Sequence, residues 1–274
     1  MPCAPQVLRV KDRRHRIYNG LRGNDLGNVL GTHDVVRVLE VDPDLGQDLE
    51  PAALAVARPR AIARAEWLEP GRWQPLAQEW DHRGHLGLLI VDGFIARGIQ
   101  LGSRGCAELL GPGDILRPWV RLGDYSSVPV QDGWQVLEAT RIALLDRRFA
   151  HAMAGWPEVT GAILDRMMAR SGWLAFHLAV AHLRRVETRV HVALWHLADR
   201  WGRVRPGGVE LRLNLTHALL ADIVAAERPS VTLALSALRE RGLVERDADH
   251  VWRLHGRPPG ELHDVRAQAA GPLR

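Results

Sequence analysis

At 274 residues, 46% hydrophobic and 25% charged, the chain has the composition of a globular protein and the length of about two domains, which excludes a disordered or fibrous polymer. Cys3 and Cys106 are the only cysteines, too few for a disulfide framework or a four-cysteine metal cluster. The net charge of +4, carried by arginine with Lys11 as the single lysine, permits an anionic partner without requiring one. No run of roughly 18 apolar residues argues for a membrane span.

Residues 1 to about 33 are polar, with a basic stretch from Lys11 to Arg16 and several glycines but no periodicity. A flexible segment is expected there, read as a solvated tail in preference to a basic arm on nucleic acid. The opening Met-Pro-Cys-Ala-Pro has no apolar core of the kind a signal peptide needs, so the expectation is cytoplasmic. Short helical patterns, such as Pro51 to Ala57, fill the stretch from Asp34 to Ala65. From about Arg64 to Asp146 short apolar runs alternate with glycine turns. Gly87 to Val91, Phe94 to Leu101, Ala107 to Leu110, Ile115-Leu116, Trp134 to Glu138 and Arg141 to Leu145 read as strands, with turns at Asp92-Gly93 and Gly111-Pro112-Gly113-Asp114. Such spacing predicts an antiparallel roll or barrel.

Asp146 to Trp156 reads as a short helix, and Pro157 opens a long one that runs to about Leu183. Its apolar stripe is Val159, Ile163, Met167, Leu174, Leu178 and Ala181, with Gly161 and Gly172 allowing close approach. Spacing alone permits either a seam between two copies or an internal packing face.

A further helix spans about Val186 to Trp201, and Arg203 to Gly208 reads as a turn into a strand at Val209 to Leu215. Thr216 is a natural N-cap, followed by Leu219, Leu220 and Ile223 at helical spacing. Pro229 suits the first turn of the next helix, whose stripe is Val231, Ala234, Leu235 and Leu238 and which closes at Arg241-Gly242. Two short strands, Leu243 to Arg246 and His250 to Leu254, flank a turn at Asp247 to Asp249. Strand, helix, helix and hairpin is the order of a winged helix-turn-helix. With its stripe buried, the second helix turns out Arg228, Pro229, Thr232, Leu233, Ser236 and Arg239. Arginine there can reach guanine O6 and N7, and an apolar side chain a thymine methyl. Ser230 and Thr232 offer hydroxyls to phosphates, and Arg246 or Arg253 of the wing a cation.

The stretch from Val186 to Leu254 resembles the C-terminal half of the Crp/Fnr transcription regulators. The resemblance rests on Val186 to Val190, Ala193 to Gly202, Leu215-Thr216-His217 and Arg228 to Thr232 in order and spacing. The Gly93 turn and Gly111 to Asp114 are similar to that family's cyclic-nucleotide-binding roll. The resemblance implies an α+β protein with five parts: a flexible segment 1–33, an antiparallel β-roll effector domain 34–156, a dimerisation helix 157–185, a winged helix-turn-helix 186–256 and a flexible tail 257–274. It implies a homodimer on a two-fold symmetric duplex, with the recognition helix 228–241 in the major groove. Thr216, His217, Arg228, Pro229, Ser230, Thr232, Leu233, Ser236 and Arg239 are the DNA-binding residues it points to. Arg228 stands where the family has its first base-reading arginine. Pro229 and Leu233 stand where cyclic-AMP-binding members have an acidic and a basic base reader, a departure that leaves the DNA sequence open. RNA polymerase and an unknown small-molecule effector are the further partners.

The effector domain departs from the family's cyclic-nucleotide pattern. Its glutamate for the ribose is missing from Leu116 to Gln131, and Tyr125 occupies the place of the phosphate-pairing arginine before the serine pair. A buried phosphate without such partners is costly. Arg117 and Arg121 read as surface arginines, and the roll is either a sensor of another signal or degenerate. No cofactor or metal is expected. His82 and His85 read as a solvated turn. His177, His182, His191 and His196 either face one another across a dimer or are ordinary helix histidines. Trp119 and Trp134 either line a pocket or pack the core. A cupin-like metal enzyme is the first alternative, but there is no His-x-His pair on a strand, nucleophile elbow, P-loop or CxxC, and an enzyme is not expected. The second alternative is a dimeric protein-interaction module. Micromolar cyclic AMP is expected to leave the melting temperature unchanged; a clear upward shift in a thermal scan refutes this.

Overall fold

The computed structural model describes residues 34–75, 83–102, 104–120 and 127–259. The readings made for 1–33, His82, Arg121 and Tyr125, and for the tail after 259, fall outside the described residues. In chain order the elements are β1 (Val35–Arg37), α1 (Val38–Val41), α2 (Pro51–Ala57), β2 (Ile62–Leu68), β3 (Gly71–Trp73), β4 (Gly87–Asp92), β5 (Ile95–Leu101), β6 (Arg104–Leu110), β7 (Ile115–Leu116), β8 (Gln131–Val136) and β9 (Thr140–Leu145). They are followed by α3 (Arg147–Ala152), α4 (Pro157–Ala181), α5 (Val186–Trp201), β10 (Arg203–Arg205), β11 (Gly208–Arg212), α6 (His217–Ile223), α7 (Arg228–Glu240), β12 (Val244–Arg246) and β13 (Val251–Leu254).

The roll is two antiparallel sheets, ordered β1-β2-β9-β4-β7 and β3-β8-β5-β6. Leu88, Ile90, Ile142 and Leu144 of the first sheet meet Trp73, Ile95, Trp134 and Val136 of the second in one buried core. The first sheet is covered on its other face too. There Leu89, Ala143 and Leu145 pack against Leu39, Phe149, Val159 and Ile163 of the helices. This double coverage explains why β4 and β9 are continuous apolar runs and not alternating ones. Trp134 lies inside, edge-on to Trp73 with ring centroids 5.8 Å apart, so of its two readings the core one holds. Arg117 is exposed and stacks over Trp119 at 5.7 Å.

Differences from the sequence reading are local. Val35 to Arg37 and Ile62 to Ala65, expected within a helical stretch, are strand: the first is a short edge strand with only Val36 buried, the second the start of β2. Arg203 to Gly208, expected as a turn, contains β10 paired with β11, three exposed residues with no apolar signature. The strand expected to reach Leu215 ends at Arg212. Leu213 and Leu215 continue the buried alternation, and the Leu213 carbonyl accepts from Trp252 Nε1 (3.1 Å) in place of a strand partner.

Two glycines set close approaches. Gly93 turns at φ +84°, and a Cβ there would stand 2.7 Å from the Ala139 carbonyl oxygen. At Gly111 a Cβ would stand 2.6 Å from the Phe94 ring and 2.9 Å from Trp201, so this position must be small for the roll to touch α5. Gly93→Ala is expected to cost more than about 2 kcal/mol in chemical denaturation. Gly98→Ala, where nothing lies within 4 Å, should change stability by less than about 1 kcal/mol.

Candidate nucleic-acid interface

The C-terminal unit builds its exposed face from local rules. The Thr216 hydroxyl accepts from Leu219 N at 3.1 Å and caps α6. The chain leaves α6 through Ala225 at φ +52°, a left-handed conformation that costs a non-glycine about 1–2 kcal/mol. Arg189 holds that turn, donating to the carbonyls of Ala225 (3.0 Å) and Leu183 (2.6 Å). Pro229 sits in the first turn of α7. Val231, Ala234 and Leu238 are buried against α5 and α6, and Leu235 is half-buried.

That burial turns the other side of α7 outward. Arg228, Pro229, Thr232, Leu233 and Arg239 are exposed, and Ser230 and Ser236 half-buried. Leu233 is 72% exposed, a large apolar side chain at the crest of the helix. The structure therefore places all nine expected residues in α7 and the start of α6. Two of them differ from expectation in detail: Thr216 spends its hydroxyl on its own helix, and Thr232 donates to the Arg228 carbonyl at 3.1 Å.

Between α7, the start of α6 and the β12-β13 hairpin lies an open cleft. Asn214, Thr216, His217, Arg228, Arg246 and His250 line one part of it, and His217, Thr232, Ser236, Arg239, Glu245 and Arg246 the other. Arg246 stacks over Trp252 at 4.8 Å and donates from Nη2 to His250 Nδ1 (2.9 Å). The wing turn is fixed by Asp247 Oδ1, which accepts from Asp249 N (3.0 Å) and Val251 N (2.9 Å), with His250 at φ +61°. Of the two wing arginines, Arg246 faces the cleft. Arg253 is tied to Glu210 and Asp247. Asn214 and His250 escaped the sequence reading, since only the fold brings them to α7. Burial, and then the Arg246 and Arg228 guanidinium groups, hold His217 below the ordinary imidazole range.

Residues 188–256 match the model of the Crp-like helix-turn-helix domain. The whole architecture is similar to solved structures. A CooA mutant from Carboxydothermus hydrogenoformans superposes with a TM-score of 0.53 at 16% identity, over 85% of this chain and 96% of that one. For FixK2 from Bradyrhizobium japonicum the TM-score is 0.54 at 18% identity, over 74% and 96%. For a cyclic nucleotide-binding domain containing protein from Listeria monocytogenes EGD-e it is 0.54 at 16% identity, over 70% and 88%. Residues 188–256 are thus a Crp-like helix-turn-helix domain, and the chain shares the fold of these neighbours. No curated protein sequence matches it. That domain is of the DNA-binding helix-turn-helix kind, and the fold as a whole is the α+β roll and winged helix expected from the sequence. No helix among the described residues is long and apolar enough to cross a membrane.

The roll grips the helix-turn-helix unit directly. Asp114, 4% exposed, takes Arg200 Nη2 on both carboxylate oxygens (2.6 and 2.7 Å) and Gly111 N at 2.8 Å. The Arg200 guanidinium lies 3.7 Å from the Trp173 ring centroid and 4.0 Å from that of Trp201. Trp201 Nε1 donates to Pro112 O at 3.2 Å. Burial pushes the Asp114 carboxyl up, against the opposing pull of Arg200 and the Gly111 N–H. From α4, Arg170 forks onto Glu108 (2.7 Å twice), and Arg166 donates to Asp42 and to Gly113 O (3.0 Å).

Next to this junction two of the four helix histidines meet within one chain. His177 of α4 and His196 of α5 lie 5.3 Å apart, and His191 accepts from Trp195 Nε1 at 3.0 Å. Burial, then His177 and Arg200, push His196 down to about 4. The unfolded chain takes up that proton near pH 6.5 and the folded chain only near 4, so unfolded chains bind more protons in between. Stability is therefore expected to fall as pH drops from 6.5 to 4, and urea titrations of His196→Leu should show a weaker fall over that window.

Proposed function

We propose that the regulator works as a homodimer that reads a two-fold symmetric duplex site, one α7 in the major groove of each half-site. The observation that carries this is the outward face of α7. Arg228 and Arg239 stand beside the unpartnered Leu233, and the Arg246-bearing wing closes one side. Arg228 reads a guanine edge, Leu233 meets a thymine methyl, and Arg246 and His217 hold backbone phosphate. Pro229, Ser230, Thr232 and Ser236 shape the surface between them, and Thr216 holds the start of α6.

The dimer seam is α4. Its first turns are spent on the chain's own core through Val159 and Ile163, but Leu164, Met168, Leu174 and Leu178 are 52%, 69%, 44% and 64% exposed. A second copy of α4 is the partner that covers them. The roll biases the DNA-binding units through the Arg200–Asp114 junction, and a small-molecule effector acts only if it binds one arrangement better than the other. RNA polymerase contact by the bound dimer and a cytoplasmic site of action belong to the same reading, and no catalytic role does.

Selection from random duplexes, followed by binding across a salt series, tests it. A two-fold symmetric consensus with half-sites about one helical turn apart is expected. Arg228→Ala should cost about 1–3 kcal/mol and relax selectivity at one position per half-site. Arg246→Ala should weaken all duplexes alike and lower the salt slope by about one. Selectivity unchanged in Arg228→Ala means that α7 is not the reader. Affinity independent of salt favours a protein-interaction module.

A further inference from the structure

The ring of His217 is tied to α7 through Thr232. Its Nδ1 lies 2.9 Å from Thr232 Oγ1, and that hydroxyl donates to the Arg228 carbonyl at 3.1 Å. A threonine has one hydroxyl proton. With that proton on the Arg228 carbonyl, the contact to His217 requires Nδ1–H. In a neutral imidazole the other nitrogen, Nε2, then carries a lone pair, and it has no partner among the described residues.

The ring borders both parts of the cleft between α7 and the wing. The charged and titratable groups that line this cleft with it are Arg228 and Arg239 from α7, Arg246 and Glu245 from β12, and His250 from the wing turn. Three of these are permanent cations and one is an acid, so an anion is favoured. A neutral His217 with its lone pair on Nε2 nevertheless repels a phosphate oxygen. It becomes a donor there only by gaining a proton, because Thr232 keeps the first one on Nδ1.

We propose that a duplex phosphate in this cleft is held by Arg246 and a protonated His217, so that each protomer takes up one proton as it binds DNA. The inference rests on the DNA-binding reading above. In the free protein, burial and the two arginines oppose the charge on His217. A bound phosphate offsets both guanidinium charges and accepts from Nε2–H, which stabilises the imidazolium. The imidazolium is thus favoured in the complex over the free protein, and linkage requires that affinity rise as pH falls through the interval between the two titrations. The limiting slope is one proton per protomer, or a tenfold change in affinity per pH unit for each.

The test is binding of a mixed-sequence duplex, which supplies the phosphates without demanding a particular operator. Fluorescence anisotropy from pH 5.5 to 8.5 at constant ionic strength gives the slope. Calorimetry in buffers of different ionisation enthalpy counts the protons. The wild type is expected to tighten towards acid pH. His217→Gln should be flatter and weak, and His217→Arg flatter and as tight as the wild type at its acid limit. Thr232→Val frees Nδ1, lets the neutral ring carry its proton on Nε2, and should reduce proton uptake without changing any charge. Equal slopes and equal proton uptake in wild type and His217→Gln overturn the inference while duplex binding survives. No duplex affinity at any pH overturns the DNA-binding reading and this inference with it.

Discussion

The buried Asp114–Arg200 pair is the constraint on which the arrangement of the molecule turns. Taking two charges out of water costs several kcal/mol per ion unless geometry and further hydrogen bonds compensate. Here both compensate: Arg200 lies between two tryptophan faces, and Asp114 also receives the Gly111 N–H. Loss of either partner would strand a charge in a site built for two. Phe94 and Leu109 of the roll also lie in the same buried cluster as Leu194, Leu220 and Val231. The roll and the winged helix therefore share a core and an ion pair, so a displacement of the Gly111 to Asp114 turn is mechanically a displacement of α5.

The long helix carries the same logic along its length. Val159, Ile163, Arg166, Arg170, Trp173, His177 and Val180 fall at alternating steps of four and three, and so along one face. That face meets the chain's own roll and α5. Arginines occupy it because Asp42 and Glu108 wait opposite. The sequence reading grouped the apolar residues of α4 into one stripe and so mixed two faces. Val159 and Ile163 belong inward, whereas Leu174 and Leu178 are exposed. Nothing local could have separated them, since the acids that pull Arg166 and Arg170 inward lie 124 and 62 residues away in the chain.

Legibility followed the range of the determining interaction. The helix-turn-helix could be read almost residue by residue because its signals are local: the Thr216 cap, Pro229 in a first turn, and two stripes of short period. The central strands β4 and β9 were visible as apolar runs bounded by glycine. Strands β1 and β10 were not, since three residues with one or no buried side chain carry no period. At the interface, the sequence supplied α7 and His217 but not Asn214 or His250, nor which of the two wing arginines faces the cleft. Arg253 is drawn off by Glu210, a residue on the neighbouring strand that no linear pattern associates with it.

On the DNA-binding reading, the composition of α7 divides affinity from selectivity. Its exposed face offers two guanidinium groups, a proline and an unpartnered leucine, so few hydrogen bonds can reach base edges. One bidentate arginine contact to guanine discriminates by about 1–3 kcal/mol, and Leu233 adds an apolar preference for a thymine methyl. The remaining affinity then has to come from phosphates, through cations whose position is fixed before DNA arrives. The wing supplies that fixity. Trp252 is buried and anchored to Leu213 O, Arg246 lies flat upon it, and His250 and the Asp247 turn hold the strand ends in place. A guanidinium already ordered loses less rotamer entropy on contact than a free surface arginine. The wing thereby turns a reader with few base contacts into one that can still seat itself in a single register.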